Sequence, residues 1–205
     1  MRIFLVDSHP IFREGLKSII ANARDLTVVG ESSTHESFND PQAQADVLVM
    51  DGRVESLPFL DTLKESRRKG GPPYILVLTK DLTEQHALQF LAAGADGYLS
   101  KTDAPEVVLN AIRKAARGGK YIPDGLAERM VFSLNGNNSR IPLSSREYQV
   151  LCMIGSGLCV TEIAGRLCLS AKTVSTYRSR LLEKLRLTNT AQLIRYALEQ
   201  ELVAA

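Results

Sequence analysis

Between Arg2 and Arg117 the chain repeats one pattern five times: a short apolar run, a polar stop, then a helix-like stretch. The runs are Arg2–Val6, Leu26–Gly30, Asp46–Met50, Tyr74–Thr79 and Asp96–Leu99. They are near-continuously apolar rather than alternating, as expected of strands covered on both faces, and therefore of a parallel sheet. Helical stretches are expected to about Asn22, weakly over Thr34–Phe38, and over Leu57–Arg68, Thr83–Ala93 and Ala104–Arg117. Asn39-Asp40-Pro41, Gly70-Gly71-Pro72-Pro73, Gly94 and Gly118-Gly119 break the pattern between them. Five such units make a doubly wound α/β fold with a five-stranded parallel sheet. In that architecture ligands sit beyond the carboxyl ends of the strands.

That rule selects a few residues. Asp7 and Ser8 follow the first strand, Asp51 ends the third, Thr79 ends the fourth and Lys101 follows the fifth. The set is suited to phosphoryl transfer: Asp51 as nucleophile, an acid beside it to hold a divalent cation, Thr79 to bond a phosphate oxygen, and Lys101 to offset charge. No GxGxxG follows the first strand and no GxxxxGK[ST] occurs in the chain, which argues against a nucleotide-dependent enzyme.

From Leu143 onward the pattern is wholly helical. Ser144-Ser145-Arg146-Glu147 is a capping box, and its helix is expected to bury Tyr148 or Val150, Leu151 and Ile154. A helix over about Val160–Leu167 and a tight turn lead to Ser170, which can cap a helix reaching Leu187. On this last helix Val174, Tyr177, Leu181 and Leu185 form one apolar stripe, opposite Lys172, Ser175, Thr176, Ser179, Arg180 and Glu183. Two short helices joined by a brief turn are the helix-turn-helix arrangement, whose second helix enters the DNA major groove. Charge agrees: residues 1–120 carry a net −1 and residues 121–205 a net +3. A final helix, Thr190–Glu201, carries Leu193, Ile194, Ala197 and Leu198. Cys152, Cys159 and Cys168 have no CxxC spacing and are expected to be buried thiols.

The runs DSHP, VLVMD, ILVLT and GADGYLSK, in that order, resemble a response-regulator receiver domain of flavodoxin-like fold. LSSREYQVL, GLCVTEIAGRLCLSAKTVSTYRSRLLEKL and AQLIRYA resemble a LuxR-type helix-turn-helix module. The whole chain thus looks like a NarL/FixJ-type two-component transcriptional regulator. The resemblance implies that Asp51 is the phosphoacceptor, that Thr79 and Tyr98 shift on phosphorylation, and that Lys101 pairs with the phosphate. It places Mg²⁺ among Asp7, Asp51 and the backbone carbonyl of Arg53, and names a histidine kinase or other phosphodonor as partner. In the output module it puts Ser175, Thr176 and Ser179 at base edges, and Thr161, Lys172, Thr173, Arg178 and Lys184 at phosphates. It assigns dimerisation to the last helix, through Leu193, Tyr196 and Ala197, so that a homodimer meets double-stranded DNA with two-fold related half-sites.

Five positions depart from the family pattern, one of them Val54, where the family tends to have methionine. Ser8 stands where a second acidic residue normally contacts the cation, and Mg²⁺ strongly prefers charged oxygens, so weak cation binding is expected. Glu55, where the family tends to have proline, adds a carboxylate that could partly compensate. Val160 replaces a common Asn and Arg186 a common Gly. Ser8 also motivates an alternative, the same DNA-binding regulator with a receiver that works without phosphorylation. The expected organisation is a receiver over 1–120, a linker with a short helix (about Gly125–Leu134) over 121–142, and the DNA-binding domain over 143–205. With no secretory or membrane-spanning pattern, the expected location is cytoplasmic.

Overall fold

In the computed structural model the described residues are 1–34, 45–53, 56–61, 73–80, 83–128, 143–200 and 202–203. They fall into two compact units, one of Met1–Leu82 with Phe90–Glu128 and one of Thr83–Gln89 with Arg129–Ala205.

The first unit is built on β1 (Arg2–Val6), β2 (Thr27–Ser32), β3 (Val47–Asp51), β4 (Tyr74–Thr79) and β5 (Gly97–Ser100), all parallel, in the order β2-β1-β3-β4-β5. The helices are α1 (Pro10–Ala21), the second half of α2 (Glu84–Ala93), whose residues 84–89 group with the second unit, and α3 (Pro105–Ala116). Period-two alternation divides the strand residues between two faces. Ile3, Leu5, Val47, Val49, Leu76, Leu78 and Leu99 pack with Leu16 and Ile20 of α1 and with Val108, Ala111, Ile112 and Ala115 of α3. Phe4, Leu48, Met50, Ile75, Val77 and Tyr98 alternate to the other face and are also buried. The chain leaves β1 toward one edge and continues from β3 toward the other, so the crevice between β1 and β3 is the topological switch point.

The second strand differs from expectation, running past Gly30 to Ser32. Its register with β1 slips between Ile3 and Phe4, and a Cβ on Gly30 would lie 2.5 Å from the Phe4 ring. Glycine is there because the ring lies over the backbone, not because the strand stops. Of the expected helix over Leu57–Arg68, residues 57–61 are helical; the remainder, most of Thr34–Phe38, Val54 and Glu55 lie outside the described residues. Of the short helix expected over about Gly125–Leu134, residues 124–128 are helical and belong to the first compact unit, and the rest is likewise outside the described residues.

The second unit holds α4 (Ser145–Gly155), α5 (Val160–Arg166), α6 (Ala171–Leu185) and α7 (Thr190–Glu199). Ser144 Oγ accepts from the Glu147 amide and the Glu147 carboxylate accepts from the Ser144 amide, so the capping box closes. Ser170 caps α6 through the Thr173 amide, and Asn189 caps α7 through that of Gln192. The cysteine expectation needs correction: Cys152 is buried, but Cys159 and Cys168 are exposed. Cys159 is the N-cap of α5, and Cys168 occupies the turn before α6 with φ 53°, and neither position faces a core.

α6 ends on Arg186 in the left-handed conformation, φ 55° and ψ 41°, with the Leu187 amide bonded to the Leu182 carbonyl at 2.8 Å. This is the cap glycine adopts without penalty, whereas an L side chain pays roughly 1 kcal/mol for it. Arg186→Gly is therefore expected to stabilise the chain by about 1 kcal/mol, read as a higher urea midpoint at unchanged slope. An unmoved or lower midpoint would mean that the arginine side chain recovers the cost.

Candidate functional site

The pocket is assembled by strand register. Val6 pairs with Met50, so the residues that follow, Asp7 and Asp51, emerge side by side at the switch point. β5 lies two strands away, and its following residue must reach across β4. Lysine has that reach. The Lys101 amide bonds the Thr79 carbonyl at 2.7 Å, and its ammonium lies 2.5 Å from Asp7 Oδ2 and 2.7 Å from Asp51 Oδ1. The ammonium also stands 4.7 Å from the centroid of the Phe12 ring, on α1. All three charged side chains are more than nine-tenths buried.

Burial pushes the Asp7 carboxyl up, but hydrogen bonds from Lys101 and from both the backbone and ring of His9 outweigh it and hold the carboxyl below the usual range. His9 was given no role by sequence reasoning. Its amide donates to Asp7 Oδ1 at 2.8 Å, and its ring Nδ1 is 2.9 Å from the same oxygen. The signal available was position alone: it is the second residue beyond the strand-end acid. Ser8, the departure noted above, has its hydroxyl 3.4 Å from His9 Nδ1.

Arg53 plays two parts. Its carbonyl, one of the expected cation ligands, accepts from the Ser56 amide at 2.9 Å. Its Nε stands 3.1 Å from Asp51 Oδ2, yet that oxygen is buried and accepts no aligned hydrogen bond among the described residues. Thr79 is buried at the end of β4, and a Cβ on Gly52 would fall 2.9 Å from its Cβ, so glycine lets the exit of β3 lie against it. Tyr98 is fully buried with its ring 6.0 Å from that of Phe90. The structure therefore gathers Asp7, Asp51, Lys101, Arg53 and His9, while Tyr98 occupies the core.

Receiver domains usually hold Mg²⁺ in such an acidic pocket, and here Asp7, His9 and Asp51 form a group able to hold a metal ion. Asp51 Oδ2, which accepts no aligned hydrogen bond among the described residues, has the Arg53 guanidinium beside it, so a cation there would share that oxygen with Arg53. Of the donors, only two are charged oxygens.

In the second unit α6 carries the expected polar face. Val174 and Leu181 are fully buried, Tyr177 and Leu185 half-buried, while Lys172, Thr176, Ser179 and Arg180 are exposed and Ser175 half-exposed. The Thr176 hydroxyl donates to the Lys172 carbonyl at 3.0 Å. Thr161 and Thr173 hydroxyls contact Cys159 Sγ and Ser170 Oγ, at 3.0 and 2.8 Å. Arg178 has a buried Nε without a hydrogen-bond partner among the described residues. Lys184 is engaged: its ammonium lies 2.7 Å from Glu147 Oε2, the carboxylate that closes the α4 capping box.

The dimerisation assignment needs correction for two residues. Leu193 and Ala197 are fully buried within the unit's own core, so neither presents a surface to a second chain. Tyr196 is half-buried, and Leu198, which that assignment omitted, is 39% exposed.

Both units match known families: residues 3–113 the response regulator receiver domain, and residues 141–197 the luxR family of bacterial regulatory proteins. The chain belongs to the two-component response regulators that couple a receiver to a luxR-type DNA-binding domain. It is 34% identical to the response regulator UvrY of Escherichia coli O6:H1, covering 100% of this chain and 97% of that one. It is 34% identical to the transcriptional activator protein ExaE of Pseudomonas putida, over 99% and 98%. Among solved structures it resembles RcsB from Salmonella enterica serovar Typhimurium bound to promoter P1flhDC with phosphomimetic BeF₃⁻, at 26% identity, TM-score 0.56 and coverage of 96% and 97%. Its relatives are transcriptional response regulators, not enzymes. No helix among the described residues is long and apolar enough to cross a membrane.

Two substitutions test this electrostatic account. Lys101→Met leaves two buried carboxylates facing each other, and should cost about 3 kcal/mol at pH 7.5. Because those carboxylates would then protonate more readily, the urea-unfolding deficit should shrink at pH 5; a pH-independent deficit would contradict the charge argument. For Glu147, burial raises the carboxyl, but Lys184 and Ser144 outweigh it and the folded value falls below the ordinary 4.5. Its stabilisation is thus present above pH 4.5 and lost as pH falls through the lower folded value. Glu147→Gln should cost about 1–2 kcal/mol at neutral pH, with the gap to the parent closing below pH 4.5.

Proposed function

We propose that Asp51 accepts a phosphoryl group and that this modification controls DNA binding by a homodimer through α6. The observation that carries the reading is the buried carboxylate of Asp51, with the Lys101 ammonium on one oxygen and no aligned hydrogen bond on the other. Oδ2 attacks the phosphorus of the donor, the bond from phosphorus to the leaving group breaks, and the leaving group departs with that electron pair. An acyl phosphate results. Lys101 pairs with the new phosphate, and Thr79, at the end of β4, offers a hydroxyl to one of its oxygens. Asp7 and Asp51, with the Arg53 carbonyl, would hold a divalent cation, weakly because Ser8 supplies no charge, and that ion would supply charge neutralisation for the incoming phosphate oxygens. Tyr98 shares in the rearrangement from its place beside Phe90.

In the output unit Ser175, Thr176 and Ser179 meet base edges, where hydroxyls and a threonine methyl read permissively. Lys172, Thr161, Thr173 and Arg178 hold phosphates, and Lys184 does so by exchanging Glu147 for DNA. Tyr196 and Leu198 of α7 supply the dimer contact, which pairs two copies of α6 on two-fold related half-sites. The phosphodonor is a histidine kinase or a small phosphorylated molecule, and the protein works in the cytoplasm. The relatives, which are response regulators, lend no support to a phosphorylation-independent variant over this reading.

Labelling with a ³²P phosphodonor should modify the parent and leave Asp51→Asn unmodified; equal incorporation would remove Asp51 from the role. On DNA, the triple change Ser175→Ala, Thr176→Ala, Ser179→Ala should erase the footprint on the cognate site while non-specific binding persists. Lys172→Ala with Arg178→Ala should instead weaken all sequences and reduce the salt slope by about 2. An intact footprint in the triple variant would displace base reading from α6.

A further inference from the structure

We propose that Arg186, at the carboxyl end of α6, is a DNA-phosphate contact that fastens the far end of that helix to one wall of the major groove. The inference rests on the reading of α6 as the DNA-binding helix and extends it to a residue that reading leaves unassigned.

Three observations carry it. The first is strain. Arg186 caps α6 at φ 55° and ψ 41°, its amide bonded to the Glu183 carbonyl at 3.2 Å and the Leu187 amide to the Leu182 carbonyl at 2.8 Å. All of these bonds are made by backbone, so glycine would complete the same cap without the penalty an L side chain carries. The Arg186 side chain is exposed, and among the described residues it makes no hydrogen bond or ion pair that offsets the penalty. Strain kept on a ligand-binding element, with no return inside the free protein, points to a return on binding. The second is position. At about 100° per residue the Cα of Arg186 continues the stripe of Ser175 and Ser179, and it lies about 10 Å along the axis beyond Ser179. The major groove is only about 12 Å wide, so with those serines at base edges the end of the helix has reached the sugar-phosphate backbone.

The third is charge. Glu183 is exposed on the same stripe, and the carbonyl end of α6 carries the negative pole of the helix, so both repel a phosphate. Lys184, the nearest cation in the chain, is held by Glu147 at 2.7 Å. Arg186 is therefore the exposed, unengaged cation among the described residues at this end of α6, placed to offset both repulsions. Its guanidinium presents a planar fork of donors that matches two oxygens of one phosphate. A contact of this kind carries no sequence information; it fixes the register and tilt of the helix while the hydroxyls nearer its start meet the bases.

The experiment measures binding of the full-length chain to two DNA duplexes of unrelated mixed sequence, by fluorescence anisotropy across a salt series. Arg186→Gln keeps a side chain in the left-handed cap and removes the charge. It should bind both duplexes roughly threefold to tenfold more weakly, with the plot of log affinity against log salt shallower by about 0.9. Arg186→Lys should keep most of the affinity and the slope. Arg186→Gly should weaken DNA binding as Gln does while its urea midpoint rises, so that stability and binding move in opposite directions. Arg195→Gln, which takes the same charge from α7, should leave the slope as in the parent. The proposal is overturned by a parental slope in Arg186→Gln, by an equal flattening in Arg195→Gln, or by a loss confined to one duplex, which would mark a base contact. Lys172→Ala with Arg178→Ala, run in the same series, separates the two levels. If that pair weakens binding and Arg186→Gln does not, α6 remains the DNA-binding helix and this inference falls; if neither weakens it, both fall.

Discussion

One ammonium holds the receiver together at its working end. Lys101 follows β5, yet its Nζ sits between Asp7 beyond β1 and Asp51 on β3, at 2.5 and 2.7 Å. Two carboxylates buried side by side would each resist ionisation, and the cost of burying them is met only by a cation in contact with both. The lysine that does so spans the sheet, so the exits of three strands are fixed relative to one another. The Phe12 ring beside the ammonium ties α1 to the same point. The cations of this pocket are in place before any anion arrives: Lys101 stands on one oxygen of Asp51 and the Arg53 guanidinium beside the other, which accepts no aligned hydrogen bond among the described residues.

The DNA-binding unit uses the same device once. Glu147 closes the capping box of α4 and also receives Lys184 from α6, so one carboxylate both terminates a helix and docks the recognition helix against it. The arrangement places a cation of α6 in structural service and leaves Lys172 and Arg180 as its exposed charges at other turns. It also explains why α6 can carry so polar a face: two fully buried residues, Val174 and Leu181, are its core contacts, and the ion pair adds a directional one. The ion pair and the buried residues together fix the orientation of α6, and with it the positions of the small hydroxyls on its polar face.

Much of this was legible in the sequence, because the signals involved are local. Continuous apolar runs mark doubly covered strands, and a serine three residues before a glutamate marks a helix start; neither depends on distant residues. The strand-end acids and lysine were legible for a topological reason, since parallel sheets bring strand exits together whatever lies between them. What was not legible depended on who lies opposite whom. Gly30 read as a stop because the Phe4 ring that requires it comes from another strand. Leu193 and Ala197 read as dimer contacts because the family resemblance assigns the last helix to dimerisation, and its apolar periodicity does not say which residues its own domain covers. Cys159 and Cys168 read as buried because thiols usually are, but one caps a helix and the other turns the chain. His9 was passed over because its importance arises from where the turn after β1 folds its ring, 2.9 Å from Asp7.

Ser8 and His9 together change the problem the pocket solves. A pocket with three acids and one lysine carries a surplus of negative charge, and a hard divalent ion is its natural complement. With Ser8 in the chain and the Arg53 guanidinium turned toward Asp51, that surplus is gone before any ion arrives. Neutralisation is then shared among Lys101, Arg53 and the hydrogen bonds of His9, all supplied by the protein. The Asp7 carboxylate thus has partners of two kinds, the Lys101 ammonium that it shares with Asp51 and the amide and ring of His9, which serve it alone.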